Sequence, residues 1–251
     1  MMTLGSVTGL FRYPVKSMQG IGVTSLDVLA EGVVDDRGWA LIDVTTGRLM
    51  SAKRYSALLQ ASADDAGVTL PDGTRVDWGD PYGDRTLSRW LGREVRLEAP
   101  RPEVRVAYEM TFEPPNDGAE YIDIDAPAGS FRDLAPIHLV TQQTLDGCVQ
   151  RRPDLDWDVR RFRPNLLIDA PDIEPFGEDD WTGSRIRVGE VTLSIIQPSV
   201  RCAMPLRAQP GLERQAGLYQ ALEDLHANHL GVYVDVVEPG RIALGDGLTT
   251  D

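Results

Sequence analysis

Short runs of β-branched and aromatic residues, cut at intervals of about ten positions by turn residues, leave this chain little choice but a small barrel or sandwich. Residues 5–12, 21–29, 38–44 and 58–63 each alternate closely enough to predict strands. Thr45-Thr46-Gly47 marks a hairpin turn, and Pro71-Asp72-Gly73 marks a second between residues 68–70 and 74–76. A short helix is expected over 84–91, ended by Gly92. In the second half, helical spacing over 141–151 places Leu145, Cys148 and Val149 on an apolar face, with Thr141 as N-cap. Another helix is expected over 213–228, presenting Leu218, Leu222 and Leu225. Strands are expected at 162–168, 184–188, 191–196, 232–237 and 241–244, so the class is β-rich α+β. Residues 101–129 are rich in Pro, Gly and acids, notably Glu113-Pro114-Pro115-Asn116-Asp117-Gly118. This places a domain boundary near 105–125 and divides the chain into 1–110 and 111–251. One continuous body with a long surface loop is the alternative.

The balance of charge narrows the partners. With 25 basic against 39 acidic residues the formal charge is −14, a field that opposes nucleic-acid backbones and anionic membranes. Basic clusters therefore stand out against their background. Two cysteines are too few for a disulfide framework, nothing near Met1 resembles a signal peptide, and no apolar run reaches the roughly 20 residues of a spanning helix. A reducing, cytoplasmic setting is expected.

Cys202 carries the sharpest chemical signal, in Gln197-Pro198-Ser199-Val200-Arg201-Cys202-Ala203-Met204-Pro205. It follows a predicted strand and an arginine, and prolines bracket it. A neighbouring positive charge favours thiolate, the form that attacks electrophiles and binds metals. No Cys or His stands at ligand spacing, so a lone soft ligand suits a metal carried mainly by a cofactor. Lys16 and Ser17, in Tyr13-Pro14-Val15-Lys16-Ser17, suit an anionic group or a solvated loop. Arg37, in Asp36-Arg37-Gly38-Trp39, either reaches an anion or pairs with Asp36 or Asp35. Arg160-Arg161-Phe162-Arg163-Pro164-Asn165 is the densest basic cluster. Strand alternation puts Arg161 and Arg163 on one side, where guanidinium groups match phosphate and Asn165 can read a heterocycle edge; the alternative is compensation of Asp154, Asp156 and Asp158. Cys148 reads as core. His226 and His229 read as helix-end or surface residues lacking a third zinc ligand, and His138 as a core or near-site residue. Glycine-rich nucleotide loops, His-Glu-x-x-His and Cys-x-x-Cys are absent.

Taken in order, these segments resemble the MOSC proteins, specifically members that open with an N-terminal β-barrel domain. Tyr13-Pro14-Val15-Lys16-Ser17 and Asp36-Arg37 resemble signatures of that barrel domain. Ala135-Pro136-Ile137-His138-Leu139-Val140-Thr141, Arg161-Phe162-Arg163-Pro164-Asn165, Arg201-Cys202 and the closing run 239–246 resemble the MOSC domain. The resemblance implies a β-barrel-like N-terminal domain packed on a β-barrel MOSC domain with a few helices. It also implies a molybdenum cofactor (Mo-molybdopterin), with Cys202 as metal ligand and catalytic residue. Lys16, Ser17, Arg37, Arg163 and Arg201 would grip the pterin phosphate, and Asn165 and Thr141 would contact pterin or phosphate.

Two departures from amidoxime-reducing relatives bear on substrate. Val200 stands where a small polar residue is usual, and residues 203–211 replace a threonine-rich acidic loop. The chain ends at Asp251 without a ferredoxin domain, so a separate electron donor of ferredoxin or flavin-reductase type is expected. The implied function is reduction of N-oxygenated small molecules at molybdenum. The alternatives are a sulfur carrier or cofactor-handling protein using Cys202 as persulfide or anchor, and a non-catalytic module. No nucleic-acid or membrane partner is expected.

Overall fold

Seven strands close into a barrel in the computed structural model, which describes residues 2–111 and 120–250. In chain order they are β1 (Met2–Arg12), β2 (Ile137–Thr141), β3 (Leu166–Asp169), β4 (Arg185–Val188), β5 (Val191–Val200), β6 (His229–Glu238) and β7 (Gly247–Thr250). Their order round the barrel is β3-β2-β6-β5-β4-β7-β1, and β1 returns to β3 to complete it. Closure removes the unpaired edges an open sheet would present. All pairings are antiparallel except β2–β3 (Leu139 opposite Leu166), and a parallel pair needs a crossover. Helix α2 (Gln142–Arg151) provides it. The inward residues, among them Val7, Leu10, Leu139, Ile168, Val188, Leu193, Val234 and Leu248, are buried and form one core.

The opening strand thus completes a barrel otherwise built from the second half of the chain. A reciprocal exchange ties the two halves again, since Gly240–Ala243 pairs with Ser25–Leu29. The rest of the first half forms a smaller β-rich body. Its core gathers Val15, Met18, Leu41, Met50, Leu58, Leu59, Val68 and Val76, with Leu87 from helix α1 (Gly83–Leu91). The hairpin of Gly67–Thr69 with Arg75–Asp77 and the left-handed C-cap at Gly92 match expectation.

Several predicted elements need correction. Residues 56–60 form a 3₁₀ turn, leaving only Ser62–Ala63 of the strand expected over 58–63. The third helix, α3, covers Gly217–His226, shorter at both ends than 213–228. Val149 is exposed, whereas Cys148 and Leu145 are buried. The strand expected from 162 begins at Leu166, because a 3₁₀ turn (Val159–Arg161) and a left-handed residue at Arg163 occupy the run before it. The segment Glu113 to Gly118, on which the expected domain boundary is centred, lies outside the described residues.

Thr141 caps α2 by accepting from the Thr144 N–H, and both hydroxyls bond Oε2 of Glu178, at 2.9 and 2.6 Å. Glu178 is fully buried and its Oε1 has no hydrogen-bond partner among the described residues. Burial raises its pKa, outweighing the two hydroxyls.

Two stability predictions follow from this packing. A raised carboxyl pKa in the folded state means stability falls as pH climbs from the ordinary glutamate value towards the folded one. Glu178→Gln should be more stable than wild type at neutral pH and lack that decline, as read by urea unfolding at several pH values. Gly231 has φ +75, and a Cβ there would lie 2.4 Å from the Leu139 carbonyl and 2.7 Å from His138 Nε2. Gly231→Ala should cost about 3 kcal/mol or more, against about 1 kcal/mol for Gly47→Ala, which shares the left-handed backbone in open space.

Candidate functional site: a cationic cavity beside Cys202

Four separate segments of the barrel line one cavity. Residues 13–17 leave the end of β1, and residues 163–165 enter the antiparallel neighbour β3 at the same end. His138 stands near the start of β2, and Arg201 and Cys202 follow β5. The cavity is also lined from the smaller body, by Ser51 and Lys53. Of the residues expected at a site, Lys16, Ser17, Arg37, Arg163, Asn165, Arg201 and Cys202 all line it, and His138 does too. Thr141 does not: its hydroxyl caps α2 and bonds Glu178, so it is left out of the cavity set.

Arg161 also stands apart. The 3₁₀ turn directs its guanidinium, 0% exposed, away from Arg163 and towards the carbonyls of Pro205 (3.1 Å) and Glu213 (2.9 Å) and the carboxylate of Asp156 (2.9 Å). It braces the segment after Cys202 from behind. Arg160 pairs with Asp158, the compensation the acidic neighbours suggested.

The cavity gathers six basic residues (Lys16, Arg37, Lys53, Arg132, Arg163 and Arg201) against two carboxylates, Asp36 and Asp133. In a chain of net charge −14 this is a sharp local inversion. At one end Asp36 binds both oxygens to Arg37 Nη1 (2.7 and 2.6 Å) and accepts the Tyr13 N–H (2.9 Å). The Tyr13 ring is shared by Arg37 and Arg163, whose guanidinium carbons lie 4.4 and 4.2 Å from its centroid. Burial pushes the Tyr13 phenol up to about 12, so it stays neutral and donates to the Pro164 carbonyl. Burial, then Arg37, lowers Arg163 to about 10. Arg163 Nη1 donates to the Met18 carbonyl, and Arg201 donates to Ser199 Oγ (2.8 Å) and the Phe162 carbonyl (2.9 Å). Three N–H groups remain without hydrogen-bond partners among the described residues: Nε of Arg132, Nη2 of Arg163 and Nε of Arg201. His138 is driven well below its ordinary pKa by burial and then by Arg201, which keeps its ring neutral.

At the other end both oxygens of Asp133 are taken by lysines, Lys16 at 2.5 Å and Lys53 at 2.9 Å. Both ammonium groups sit over the Tyr108 ring, at 4.9 and 4.3 Å. The two lysines hold the Asp133 carboxyl far below its usual range despite burial. Ser17 Oγ accepts the Ala52 N–H, leaving its own proton to donate. Asn165 is more constrained than expected, because its Oδ1 accepts from His138 N and its Nδ2 donates to the Phe11 carbonyl.

Backbone strain concentrates here. Ser17, Arg37 and Arg163 all have left-handed φ (68, 53 and 56), a conformation costing a non-glycine residue about 1–3 kcal/mol. Asn228, also left-handed, clamps the backbone of Arg201 through both its carbonyl and its side-chain amide. Sequence reasoning missed Asn228, Arg132, Asp133 and Lys53. One signal was available for the last: the chain has only two lysines, Lys16 and Lys53, and both lie in this cavity.

Cys202 is partly exposed, while Cys148 is buried, with its thiol pushed up to about 12 by burial. His226 Nε2 meets Asp179 at 2.7 Å and its ring stacks on Phe176; no cluster of three metal-ligating side chains occurs among the described residues. No helix among them is long and apolar enough to cross a membrane.

Comparison with known proteins places this geometry in a family. Residues 127–249 match the model of the MOSC domain, and residues 4–81 match the MOSC N-terminal beta barrel domain. The molybdenum cofactor sulfurase of Danio rerio is 27% identical over 242 residues, covering 79% of this chain and 28% of the sulfurase. The mitochondrial amidoxime-reducing component 1 of Homo sapiens is 24% identical over 229 residues, covering 80% of this chain and 66% of that protein. The chain thus spans less than two thirds of either relative. Among solved structures, the YUAD protein from Bacillus subtilis aligns over 98% of this chain and 94% of its own, at 12% identity and a TM-score of 0.46. With both domain models matched in order along a β-rich chain whose barrel closes, the protein belongs to the MOSC family and carries the family's N-terminal β-barrel domain.

Proposed function

We propose that this chain is a molybdenum-cofactor-binding oxidoreductase that reduces N-oxygenated small molecules with electrons from a separate redox protein. One observation carries the reading. The cavity beside Cys202 holds an excess of buried cations and three guanidinium N–H groups without hydrogen-bond partners. Buried donors and uncompensated charge are costly unless an anion meets them, and a pterin phosphate is a dianion of suitable chemistry.

The residues fit such a group. Arg163 and Arg201 would hold the phosphate, supported by Arg37 and Lys16, and the Ser17 hydroxyl would donate to it. Asn165, tied to backbone on both sides, would fix the cavity wall and offer its remaining donor to the pterin. Cys202 would ligate the metal. When bound, the group supplies a two-electron redox centre with affinity for oxygen. Reducing N–OH to N–H consumes two electrons and two protons and releases water. The neutral ring of His138 and the fixed guanidinium groups keep the phosphate end static.

A second reading, sulfur carriage or cofactor handling through a persulfide or anchor on Cys202, is favoured by the likeness to a sulfurase and by the partial exposure of the thiol. Metal and pterin content separates the two. After expression in a host that makes the cofactor, near-stoichiometric molybdenum and pterin are expected in wild type, with metal lost in Cys202→Ala. Arg163→Ala should lower cofactor retention at least about ten-fold, because it leaves the phosphate one charge-assisted contact short. Hydroxylamine and amidoxime reduction are then the assays to run. Molybdenum absent from wild type, with an extra sulfur on Cys202 by mass spectrometry, would replace this reading with the second.

A further inference from the structure

The two lysines of the cavity are not equivalent. Lys16 Nζ spends two of its three donors, on the Phe131 carbonyl at 2.6 Å and on Asp133. Lys53 Nζ gives one to the far oxygen of Asp133 and rests on the Tyr108 ring at 4.3 Å. Asp133 therefore stands between two ammonium charges and can offset only one of them. Lys53 is also tied to the cysteine segment, because its carbonyl accepts from Arg207 at 2.9 Å, five residues beyond Cys202. Lys53 is 5% exposed and lines the same cavity as Cys202 and Met204. Burial works against its charge, but above all the Asp133 carboxylate more than restores it, so Lys53 stays an ammonium.

We propose that Lys53 is a specificity residue for the chemistry at Cys202: its ammonium receives the anionic or oxygen-bearing end of whatever group comes to the thiol. Lys16 occupies Asp133 and thereby keeps that charge available. Under the function proposed above, the group received is the oxygen of the N–O bond, and this extension rests on that reading. The placement of Lys53 in the same cavity as the thiol does not.

The test uses the full chain without cofactor and needs no turnover. Cys202 is alkylated in parallel by iodoacetate, an anion, and by iodoacetamide, its neutral counterpart. In both, the thiolate displaces iodide to form a carbon–sulfur bond, and buried Cys148 stays unreacted. The ratio of the two rates, divided by the same ratio for N-acetylcysteinamide, a thiol with no other charge, reports the local charge. Wild type should exceed unity, and Lys53→Gln should lower the ratio by about three- to ten-fold, as expected for removing one nearby charge from a partly screened site. Lys53→Arg should retain most of it, and Lys16→Gln should lower it less than Lys53→Gln. A wild-type ratio at or below that of N-acetylcysteinamide overturns the proposal without any variant, which covers the case of Lys53→Gln failing to fold. So does a ratio unmoved by Lys53→Gln. Loss of the ratio in Lys53→Gln alongside a chain that never carries molybdenum would keep Lys53 in this role and discard the reductase reading.

Discussion

Like charge held together in a confined space is the constraint on which the rest of this structure depends. Six cations meet in one cavity of an otherwise acidic protein, and repulsion among them must be offset before any ligand arrives. The offset is distributed. Asp36 and Asp133 each sit between cations, Tyr13 and Tyr108 each present a ring face to two, and carbonyls of Met18, Phe131 and Phe162 each accept one further donor. These acceptors come from distant parts of the chain. The cavity therefore exists only when the barrel is closed and the smaller body is seated on it, which couples site formation to the global fold.

That coupling explains the unusual path of the chain. If β1 belonged to a self-contained first domain, residues 13–17 would be positioned only by contacts across an interface. Because β1 is a stave of the barrel, hydrogen-bonded to β3 and β7, the loop carrying Lys16 and Ser17 leaves β1 beside the segment of Arg163 and Asn165 that enters β3. The pairing of Gly240–Ala243 with Ser25–Leu29 fixes the second contact between the bodies. Precision of this kind is what a site built from left-handed residues requires, since strain at Ser17, Arg37 and Arg163 persists only where the surroundings over-determine it.

The sequence makes the motif segments legible because each lies at the end of a regular element with a period of its own. Residues 13–17 follow an alternating strand, Cys202 follows another, and Thr141 announces a helix. What period cannot reach is irregular backbone. Arg161 and Arg163 would share a face only in an extended strand, and a 3₁₀ turn with a left-handed residue sends one into the core and the other into the cavity. Thr141 shows one residue type serving two rules at once: its hydroxyl caps α2 and bonds Glu178, while the ligand role expected of it comes from the family resemblance alone. Asp133, Lys53 and Arg132 stand in loops whose fold is set by tertiary contacts, so spacing says nothing of them. Composition does single out Lys53, as one of two lysines among 25 basic residues.

The distribution of basic types within the cavity gives it a direction. A guanidinium is a planar fork, and Arg37, Arg163 and Arg201 each commit part of it to protein acceptors, so what remains is aimed rather than free. Such donors suit an anion of fixed shape held in one place. An ammonium is a compact point charge with rotatable donors, and the chain places both of its ammonium groups at the Asp133 end, where Lys53 is joined to the Cys202 segment through Arg207. Aimed forks around Tyr13 and adaptable point charges around Tyr108 are what a site would need if one end must hold a permanent group still while the other meets groups that come and go. The cavity therefore has a polarity, from guanidinium forks around Tyr13 to ammonium point charges around Tyr108 and Asp133.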